Sequence, residues 1–415
     1  MRVLQIHDIY QQKSGEEAVL AAQATLLGQA GCTVAQWTVS NDAIAGPLDA
    51  AKVAWRLPYS RPARAEAERR IRAFAPDIVH VHNFFPLITP SVYDACATLG
   101  VPAVQTLHNF RTICAGVFLF RDGVPCELCV AGSPWNGALH RCYRGSLLGS
   151  AALARMIAIH RRRGTWTRKV ARFIAVSDFA RGRFVAAGFP ADRIAVVPNF
   201  APEPVTPDPA AEARRDAARA GALFVGRLSA EKGIGTLMAA WEEVAAPLRV
   251  AGDGPLFAGL RPPAAVTLLG RLSPREVAAE MDRAAILVAP SEWPEVSSMA
   301  LIEGLACGLP AVAARIGGIP EIVEDEVTGL LVPPRDPASL AAAARRLFED
   351  MPLRRMMGAS ARLRHRRRFS PEPHLRALLA VYEAALAEGA PGGDRPAARH
   401  GGLSRGRAGA LGAPS

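Results

Sequence analysis

Short apolar runs alternate with helix-like stretches along the first half of the chain. The runs at residues 3–6, 33–37, 77–82, 101–108 and 172–177 indicate strands, and residues 15–27 indicate a helix. The run at 77–82 is apolar and ends in polar residues, as a buried strand of a parallel sheet does, and the next two runs repeat this pattern. Strands that alternate with helices predict a parallel sheet with helices on both faces.

A second series of the same kind follows a proline-rich stretch. Residues 198–209 contain Pro202, Pro204 and Pro207, which is typical of a stiff linker between domains. Further strands are predicted at residues 222–226, 248–252, 266–270, 286–290, 310–313 and 329–332. Several of them end at glycine or proline, which opens the loops where ligands bind in such sheets. The pattern predicts an α/β protein with two doubly wound, Rossmann-like domains that face each other across a cleft.

These patterns divide the chain into four parts. We predict a first domain at residues 1–200, a second domain at 201–369 and a C-terminal helix at 370–388 that returns to the first domain. Residues 389–415 consist of glycine, alanine, proline and arginine without periodicity, and we predict a disordered tail. A cysteine-rich insertion occupies about residues 109–145 of the first domain.

The composition is that of a folded protein without a membrane span. Of the 415 residues 50% are hydrophobic and 21% are charged, so a large core can be buried. There is no uninterrupted apolar run long enough to cross a bilayer, and the apolar start of the chain is too short for a signal peptide. We therefore expect a cytoplasmic protein.

The net charge of +11 leaves two interpretations open. It reflects either an arginine-rich composition with a basic tail, or attraction to an anionic membrane or a phosphate-bearing acceptor. Residues 146–173 mix Leu147, Leu148, Met156 and Ile157 with seven basic residues. This segment is either an amphipathic basic helix that rests on an anionic membrane or a solvated helix packed on the sheet. No nucleic-acid-binding motif is present, so we expect no nucleic-acid partner.

Two segments of the second domain carry the strongest chemical signal. In the first, Gly226 follows a strand and Arg227 and Lys232 project from the loop, where two fixed cations suit a diphosphate. In the second, Glu295 precedes a helix whose N-cap is Ser297 or Ser298.

The same helix carries a second carboxylate, Glu303, eight positions after Glu295. Free amides at the helix start favour an anionic or hydroxyl-rich ligand, and the two carboxylates can bracket the hydroxyls of a nucleotide sugar. The alternatives are a surface turn with two solvated cations, and a Glu303 that is a partly buried, paired carboxylate.

The segment GRLSAEKG and the Glu295–Glu303 pair resemble glycosyltransferase family 4, whose members are retaining enzymes with the GT-B fold. The resemblance runs from the loop that contains Ser14 and Gly15 to about Tyr382. It implies that Arg227 and Lys232 hold the donor diphosphate and that Glu303 binds the ribose. It further implies that Glu295 and the amides of Val296, Ser297 and Ser298 bind the donor sugar, and that Gly270, Arg271 and Leu272 lie against the base.

In the first domain the resemblance is less complete. His108 resembles the histidine that contacts the donor sugar in this family, although a strand-end histidine is often only structural. Gly15 matches the family's glycine-rich loop, but Ser14 stands where a first glycine is usual. The implied catalytic set is His108, Glu295, Arg227 and Lys232. No DxD motif calls for a divalent ion, so we expect no cofactor in catalysis.

The cations and carboxylates predict a nucleoside-diphosphate sugar as donor. The resemblance implies that a hexose is transferred with retention to a glycan or lipid-linked acceptor, in cell-surface polysaccharide synthesis. The inner face of the plasma membrane is the expected place. Two alternatives stay open. One is another GT-B nucleotide-sugar enzyme, such as an epimerase or a phosphorylase, and the other is a non-catalytic, membrane-associated binding protein.

Four of the seven cysteines cluster in the insertion as C-x11-C-x2-C-x12-C: Cys114, Cys126, Cys129 and Cys142. Four thiols around a C-x2-C pair fit a tetrahedral structural zinc site, with His140 as a substitute ligand. The glycine-rich insertion has little regular structure, and a metal would order it. The alternatives are four reduced, unlinked thiols or an iron–sulfur cluster.

Overall fold

The computed structural model describes residues 1–11, 15–203, 214 and 216–389. Two parallel six-stranded sheets confirm the predicted α/β fold. The first sheet, in the spatial order β2-β1-β3-β4-β7-β8, contains β1 (Arg2–Ile9), β2 (Thr33–Ser40), β3 (Ile78–Asn83), β4 (Ala103–Leu107), β7 (Arg172–Ala175) and β8 (Ile194–Val196). The second, in the order β11-β10-β9-β12-β13-β14, contains β9 (Ala222–Val225), β10 (Leu248–Ala251), β11 (Val266–Gly270), β12 (Ile286–Ala289), β13 (Ala311–Ala314) and β14 (Gly329–Val332).

Helices cover both faces of each sheet. Those of the first domain are α1 (Gly15–Gln29), α2 (Pro47–Arg56), α3 (Arg61–Phe74), α4 (Ser91–Thr98), α5 (Asn136–Leu139), α6 (Leu147–Arg162), α7 (Thr165–Arg168) and α8 (Asp178–Ala186). Those that follow are α9 (Ile234–Trp241), α10 (Pro274–Arg283), α11 (Met299–Ala306), α12 (Ile319–Ile322), α13 (Pro337–Glu349), α14 (Met351–Arg364) and α15 (Pro371–Glu388). Serine side chains cap several of them, and Ser273 forms a capping box with Glu276 at the start of α10.

The strand order of each sheet reverses beside its first strand. In a doubly wound sheet, the loops at the carboxyl ends of the strands diverge on either side of such a reversal and leave a crevice between them. The reversal lies between β1 and β3 in the first sheet and between β9 and β12 in the second. The fold therefore places the loops after β1, β3, β9 and β12 where a ligand can bind.

The last helix, α15, packs on the first domain although it follows the second in sequence. Leu378, Val381 and Tyr382 share a buried cluster with Val3 and Ile78 of the first sheet. The two chain crossings between the domains are also bonded to each other. The amide of Ala201 donates to the carbonyl of Phe369 at 3.0 Å, and the His365 ring lies 2.9 Å from the Ala201 carbonyl.

Side chains of the second domain reach into the first. The Glu321 carboxylate accepts hydrogen bonds from the amides of Asp178 and Phe179 at 2.8 and 2.7 Å. These amides begin α8, where a negative charge is favoured by the helix dipole. Val296, from the loop after β12, is buried in the core cluster of the first domain. The two domains are thus in contact along the cleft.

Residues 146–173 do not form the single amphipathic helix that was one of our two interpretations. They divide into α6, α7 and the start of β7. Met156 and Ile157 belong to the first-domain core, Lys169 pairs with Asp94, and Arg172 donates to a backbone carbonyl at 2.8 Å. The segment packs on the sheet because its central apolar residues are buried in the core of the first domain. Across the described residues, every helix is too short or too polar to span a bilayer.

The insertion has little regular structure, as its glycine content predicts. It forms a small hairpin of β5 (Phe120–Arg121) and β6 (Val124–Pro125), followed by α5. Ser14, residues 204–209 of the predicted linker and residues 390–415 of the predicted tail lie outside the described residues.

Candidate functional site

The loops after the neighbouring strands β9 and β12 are bonded to each other. The amide of Glu292 donates to the carbonyl of Glu231 at 2.9 Å. Gly233, at the end of the first loop, has φ +72°, and a Cβ there would come within 1.9 Å of the Pro290 carbonyl oxygen. Only glycine allows this approach. The two segments that stand out in the sequence therefore form one surface at the carboxyl edge of the second sheet.

Lys232 and Glu295 form an ion pair on this surface. Their Nζ and Oε1 atoms are 2.8 Å apart, and the Ser291 hydroxyl also donates to Glu295. Glu295 is buried, so its charge requires such partners. The sequence predicted Lys232 for a diphosphate and Glu295 for a sugar as separate groups, and the structure joins them. Arg227, which precedes Lys232 in the same loop, is exposed to solvent.

The loop after β12 ends at the N-terminus of α11. Ser298, not Ser297, is the N-cap, and its side chain makes no capping hydrogen bond. The amides of Val296, Ser297 and Ser298 have no acceptor among the described residues. Behind the loop lies Gly317, where a Cβ would come within 2.5 Å of the Glu295 backbone. Free amides at a helix start suit an anion or a hydroxyl group.

Glu303 lies inside α11 and differs sharply from Glu295. Within the described part of the chain its carboxylate has no hydrogen-bond or ion-pair partner. Burial raises its pKa to about 7, because a charge in this place is poorly hydrated. The alternative of a partly buried, paired carboxylate is therefore wrong in one respect, since Glu303 has no partner among the residues that the structure describes. Such a carboxylate can accept hydrogen bonds from ligand hydroxyls.

The predicted base-binding residues flank the same edge. Gly270 has φ +69° and ends β11, and its carbonyl accepts a hydrogen bond from the Gly252 amide at 2.8 Å. Arg271 is exposed and Leu272 is half-buried. The segment after β10 also holds the loop of Gly226, because the Leu228 amide donates to the Asp253 carbonyl at 3.0 Å. Gly270, Arg271 and Leu272 thus lie two strands away from Lys232.

His108 directly follows β4 in the first domain and is buried. Its Nε2 atom lies 3.0 Å from Nδ1 of His82, and the two rings are stacked. Burial lowers the pKa of both histidines, so both are neutral at physiological pH. One of the two nitrogens therefore donates to the other, which orients the His108 ring. His82, which the sequence analysis did not single out, lies in β3 and is recognisable only once β3 and β4 are paired.

Gly15 brings the start of α1 to the second domain. A Cβ on Gly15 would lie 3.2 Å from Cγ of Met299, the first residue of α11. The next residue, Glu16, accepts a hydrogen bond from Asn109 at 3.1 Å. The start of α1, the residue after His108 and the start of α11 are therefore neighbours, although Gly15 and Met299 belong to different domains.

A buried cation in the first domain was missed by the sequence analysis. Arg111 donates to the Tyr10 hydroxyl at 3.1 Å, and its guanidinium carbon lies 4.0 Å from the centre of the Phe85 ring. Arg111 is only 8% exposed. Its position just after β4 was visible in the sequence, but its burial depends on the packing of three loops.

The four cysteines line one small cavity of the insertion, together with His140. All four are free thiols. Burial raises the pKa of Cys114 to about 11 and also raises the pKa of Cys129 and Cys142, which keeps these thiols protonated. In the residues that the structure describes, no three His, Cys, Asp or Glu side chains stand in the arrangement of a metal site.

Two family models match the chain. A model of glycosyltransferase family 4 matches residues 15–202, and a model of the group 1 glycosyltransferases matches residues 219–350. Among curated proteins, an uncharacterised glycosyltransferase of Methanocaldococcus jannaschii is 33% identical over 167 residues, which is 39% of this chain and 47% of that protein. This chain thus spans less than half of that relative's length.

Solved structures share the fold at low identity. HepE from Anabaena, solved in complex with UDP and glucose, has a TM-score of 0.62 at 19% identity and covers 92% of this chain and 99% of its own. Sucrose-phosphate synthase from Thermosynechococcus elongatus has a TM-score of 0.68 at 21% identity, with coverage of 94% and 100%. The two matched ranges, which together span more than three quarters of the sequence, and the two facing sheets lead to one assignment: the chain belongs to the GT-B glycosyltransferases of the family 4 type.

Proposed function

We propose that the protein is a retaining glycosyltransferase that moves a hexose from a nucleoside-diphosphate sugar to a glycan or lipid-linked acceptor. One observation carries the proposal. Two cations, together with three amides and a carboxylate that have no partner among the described residues, share the carboxyl edge of the second sheet. Cations and amides suit a diphosphate, and the carboxylate suits the two hydroxyls of a ribose.

The bond that breaks determines what this site must do. When the sugar leaves, the diphosphate gains negative charge and the sugar becomes oxocarbenium-like. Lys232, which Glu295 holds, and the amides at the start of α11 can stabilise this charge without reorganising, and the exposed Arg227 can add a second cation. Glu295 holds Lys232 at 2.8 Å. We assign it to positioning Lys232 and to the donor sugar, and we assign retention to the family resemblance without naming a nucleophile.

The donor class is supported by the structural relatives. HepE was solved with UDP, and also with UDP-glucose. UDP-sugars are therefore the first donors to test. For the base we propose contacts with backbone groups of Gly270, Arg271 and Leu272, and for the sugar we propose contacts with His108. We further propose a role in cell-surface polysaccharide synthesis, at the inner face of the plasma membrane.

An apolar and basic patch on the first domain supports membrane association. Large hydrophobic side chains of α2, α5 and the start of α6 are exposed, namely Leu48, Trp55, Leu139, Leu147 and Leu148. Arg155 covers one face of the Trp55 ring, with 4.8 Å between the guanidinium carbon and the ring centre. Arg56, Arg141 and Arg144 are exposed on the same elements or next to them. We propose that this patch rests on an anionic membrane that supplies a lipid-linked acceptor.

We also propose one structural zinc ion at Cys114, Cys126, Cys129 and Cys142. The donor set of four thiols, the central C-x2-C pair and the shared cavity support it. Since the thiols are not drawn together in the described arrangement, binding would have to pull them inward and deprotonate them. Zinc would order the insertion and take no part in the transfer.

Removing either cation is expected to abolish stabilisation by the donor. We expect UDP-sugars to raise the melting temperature of the wild type, and this rise to be lost in Arg227→Ala and Lys232→Ala. Lys232→Ala also leaves Glu295 without its cation, so the melting temperature of this variant without donor should be lower than that of the wild type. The shift caused by the donor is therefore measured for each variant against the same variant without donor. Lys52→Ala, on α2, is the matched control.

Unchanged melting-temperature shifts on donor addition in both variants would contradict the diphosphate site.

The same protein preparation separates the enzymatic alternatives. Incubation with donor alone converts the sugar only if the protein is an epimerase, whereas a transferase requires an acceptor. Donor binding without turnover on any acceptor would favour a binding protein.

The ionisation of Glu303 is expected to control donor affinity. Ionised, its carboxylate accepts strong hydrogen bonds from two ligand hydroxyls, whereas the protonated group is a weaker acceptor, and burial raises its pKa to about 7. Between pH ~6 and pH ~8 the ionised fraction rises about tenfold, so KM for the donor should fall by up to about that factor. Steady-state kinetics across this range, at saturating acceptor, measure the change.

The substitution Glu303→Gln should flatten this profile. At high pH it should raise KM for the donor by about 10- to 100-fold, the usual loss for hydrogen bonds to a charged group. Glu383→Gln, on the exposed side of α15, should retain the wild-type profile. A wild-type profile in Glu303→Gln would remove Glu303 from the donor site.

Metal analysis is expected to find about one zinc per chain after dialysis. Cys126→Ser combined with Cys129→Ser should release the metal, while Cys32→Ser, outside the insertion, should keep it. Substoichiometric zinc in well-folded wild-type protein would contradict the site.

Vesicle binding is expected to require both the patch and anionic lipid. The protein should sediment with vesicles that contain phosphatidylglycerol, and less with pure phosphatidylcholine. Trp55→Ser with Leu148→Ser should weaken binding about tenfold or more, since each loses the burial of a large apolar side chain. Leu256→Ser, an exposed leucine of the second domain, is the control. Equal binding to both lipids would contradict an anionic partner.

A further inference from the structure

The cysteine-rich insertion touches the donor side of the cleft at two separate points. Phe118 lies edge to face against Trp293, with ring centres 5.0 Å apart and planes at 81°. Five residues later, the carbonyl of Gly123 accepts a hydrogen bond from Arg335 at 2.9 Å. Trp293 and Arg335 both belong to the second domain. An element of the first domain therefore crosses the cleft and reaches the loop that precedes Glu295.

The backbone around Phe118 is held in an unusual conformation. Val117 and Leu119, on either side of it, have φ values of +75° and +50°. Such values are rare for residues with a side chain, and most of all for a β-branched one, and persist only where the surroundings enforce them. Here both side chains are buried in the first domain. The Phe110 amide also donates to the Val117 carbonyl at 3.2 Å. Phe118 is thus directed away from its own domain by a firmly anchored turn.

Trp293 connects this turn to the donor site. Its side chain is buried, and Nζ of Lys232 lies 5.5 Å from the centre of its ring. Lys232 in turn binds Glu295, two residues after Trp293. A shift of the indole ring would therefore displace the ammonium group of Lys232 and the loop that carries Glu295. An aromatic ring that supports a cation also contributes an attraction of its own.

The second contact leads to the same loop. Arg335 lies 3.7 Å from Glu292, the residue before Trp293. The other oxygen of Glu292 accepts a hydrogen bond from the Thr236 hydroxyl at 2.6 Å, at the start of α9. Through Gly123 and Arg335 the hairpin of the insertion is tied to Glu292. Two independent contacts thus fix successive residues of the donor loop.

We infer that the insertion is a clasp that holds the donor loop in its binding arrangement, with Phe118 as the principal positioning residue. This inference rests on the proposed donor site. Phe118 touches neither Lys232 nor Glu295 and acts through Trp293, while Arg335 acts through Glu292. Because the insertion belongs to the first domain, the clasp joins the two domains at the donor loop.

Steady-state kinetics of the full-length protein test the clasp. Phe118→Leu keeps apolar volume but loses the aromatic edge, and should raise KM for a UDP-sugar about threefold to tenfold with little change in kcat. Arg335→Gln, at an exposed arginine, should raise the same KM without a loss of folding. Phe118→Tyr should restore nearly wild-type kinetics because it keeps the ring. KM for the acceptor should not change.

Controls separate this role from a general loss of structure. Val124→Ala and Leu128→Ala alter exposed residues of the same insertion and should retain wild-type KM. Unchanged donor KM in both Phe118→Leu and Arg335→Gln, in a wild-type protein that uses the donor, overturns the clasp and leaves the proposed function intact. A higher acceptor KM with unchanged donor KM also overturns it. A wild-type protein that binds no donor overturns the proposed function and the clasp together.

Discussion

A buried carboxylate organises the cleft of this protein. Glu295 is almost completely removed from solvent, and a charge in such a place requires close partners. Lys232 supplies one and the Ser291 hydroxyl another. The backbone of Glu295 is fixed as well, because the Gly318 amide donates to its carbonyl at 2.7 Å. The next residue, Val296, is buried in the other domain. The loop after β12 can therefore take one path, and the free amides at α11 follow from it.

Glu295 and Glu303 show how the surroundings give two glutamates of one site different roles. Glu295 is paired, whereas Glu303, eight positions on, has no partner among the described residues and a pKa raised by burial to about 7. One carboxylate maintains the loop, and the other is available to a ligand. A similar difference exists in the first domain, where His108 follows β4 and keeps a small exposed fraction, whereas His80 is fully buried within β3. His80 bonds to Tyr382 and Thr106, both at 2.7 Å.

The histidines also connect the cleft to the end of the chain. His108 contacts His82, the ring of His82 lies 4.1 Å from that of His80, and His80 bonds to Tyr382 of α15. Burial lowers the pKa of these three imidazoles, so the row is neutral and adds no repulsion. The final helix thereby supports β3, which carries His82, the contact of His108. This explains why a helix distant in sequence closes the first domain.

The sequence alone determined the repeating strand–helix order, the two-sheet fold and the segments that meet at the cleft, because periodicity and loop chemistry are local properties. It placed Arg227, Lys232 and Glu303 at one sheet edge, since parallel strands end together. The tertiary structure decided which side chains contact each other. Three contacts join residues from different strands or domains: Lys232 with Glu295, His82 with His108, and Phe118 with Trp293. That Glu303 has no partner among the described residues also depends on the tertiary structure. It also divided residues 146–173 between core and surface, because burial depends on neighbours that are remote in sequence.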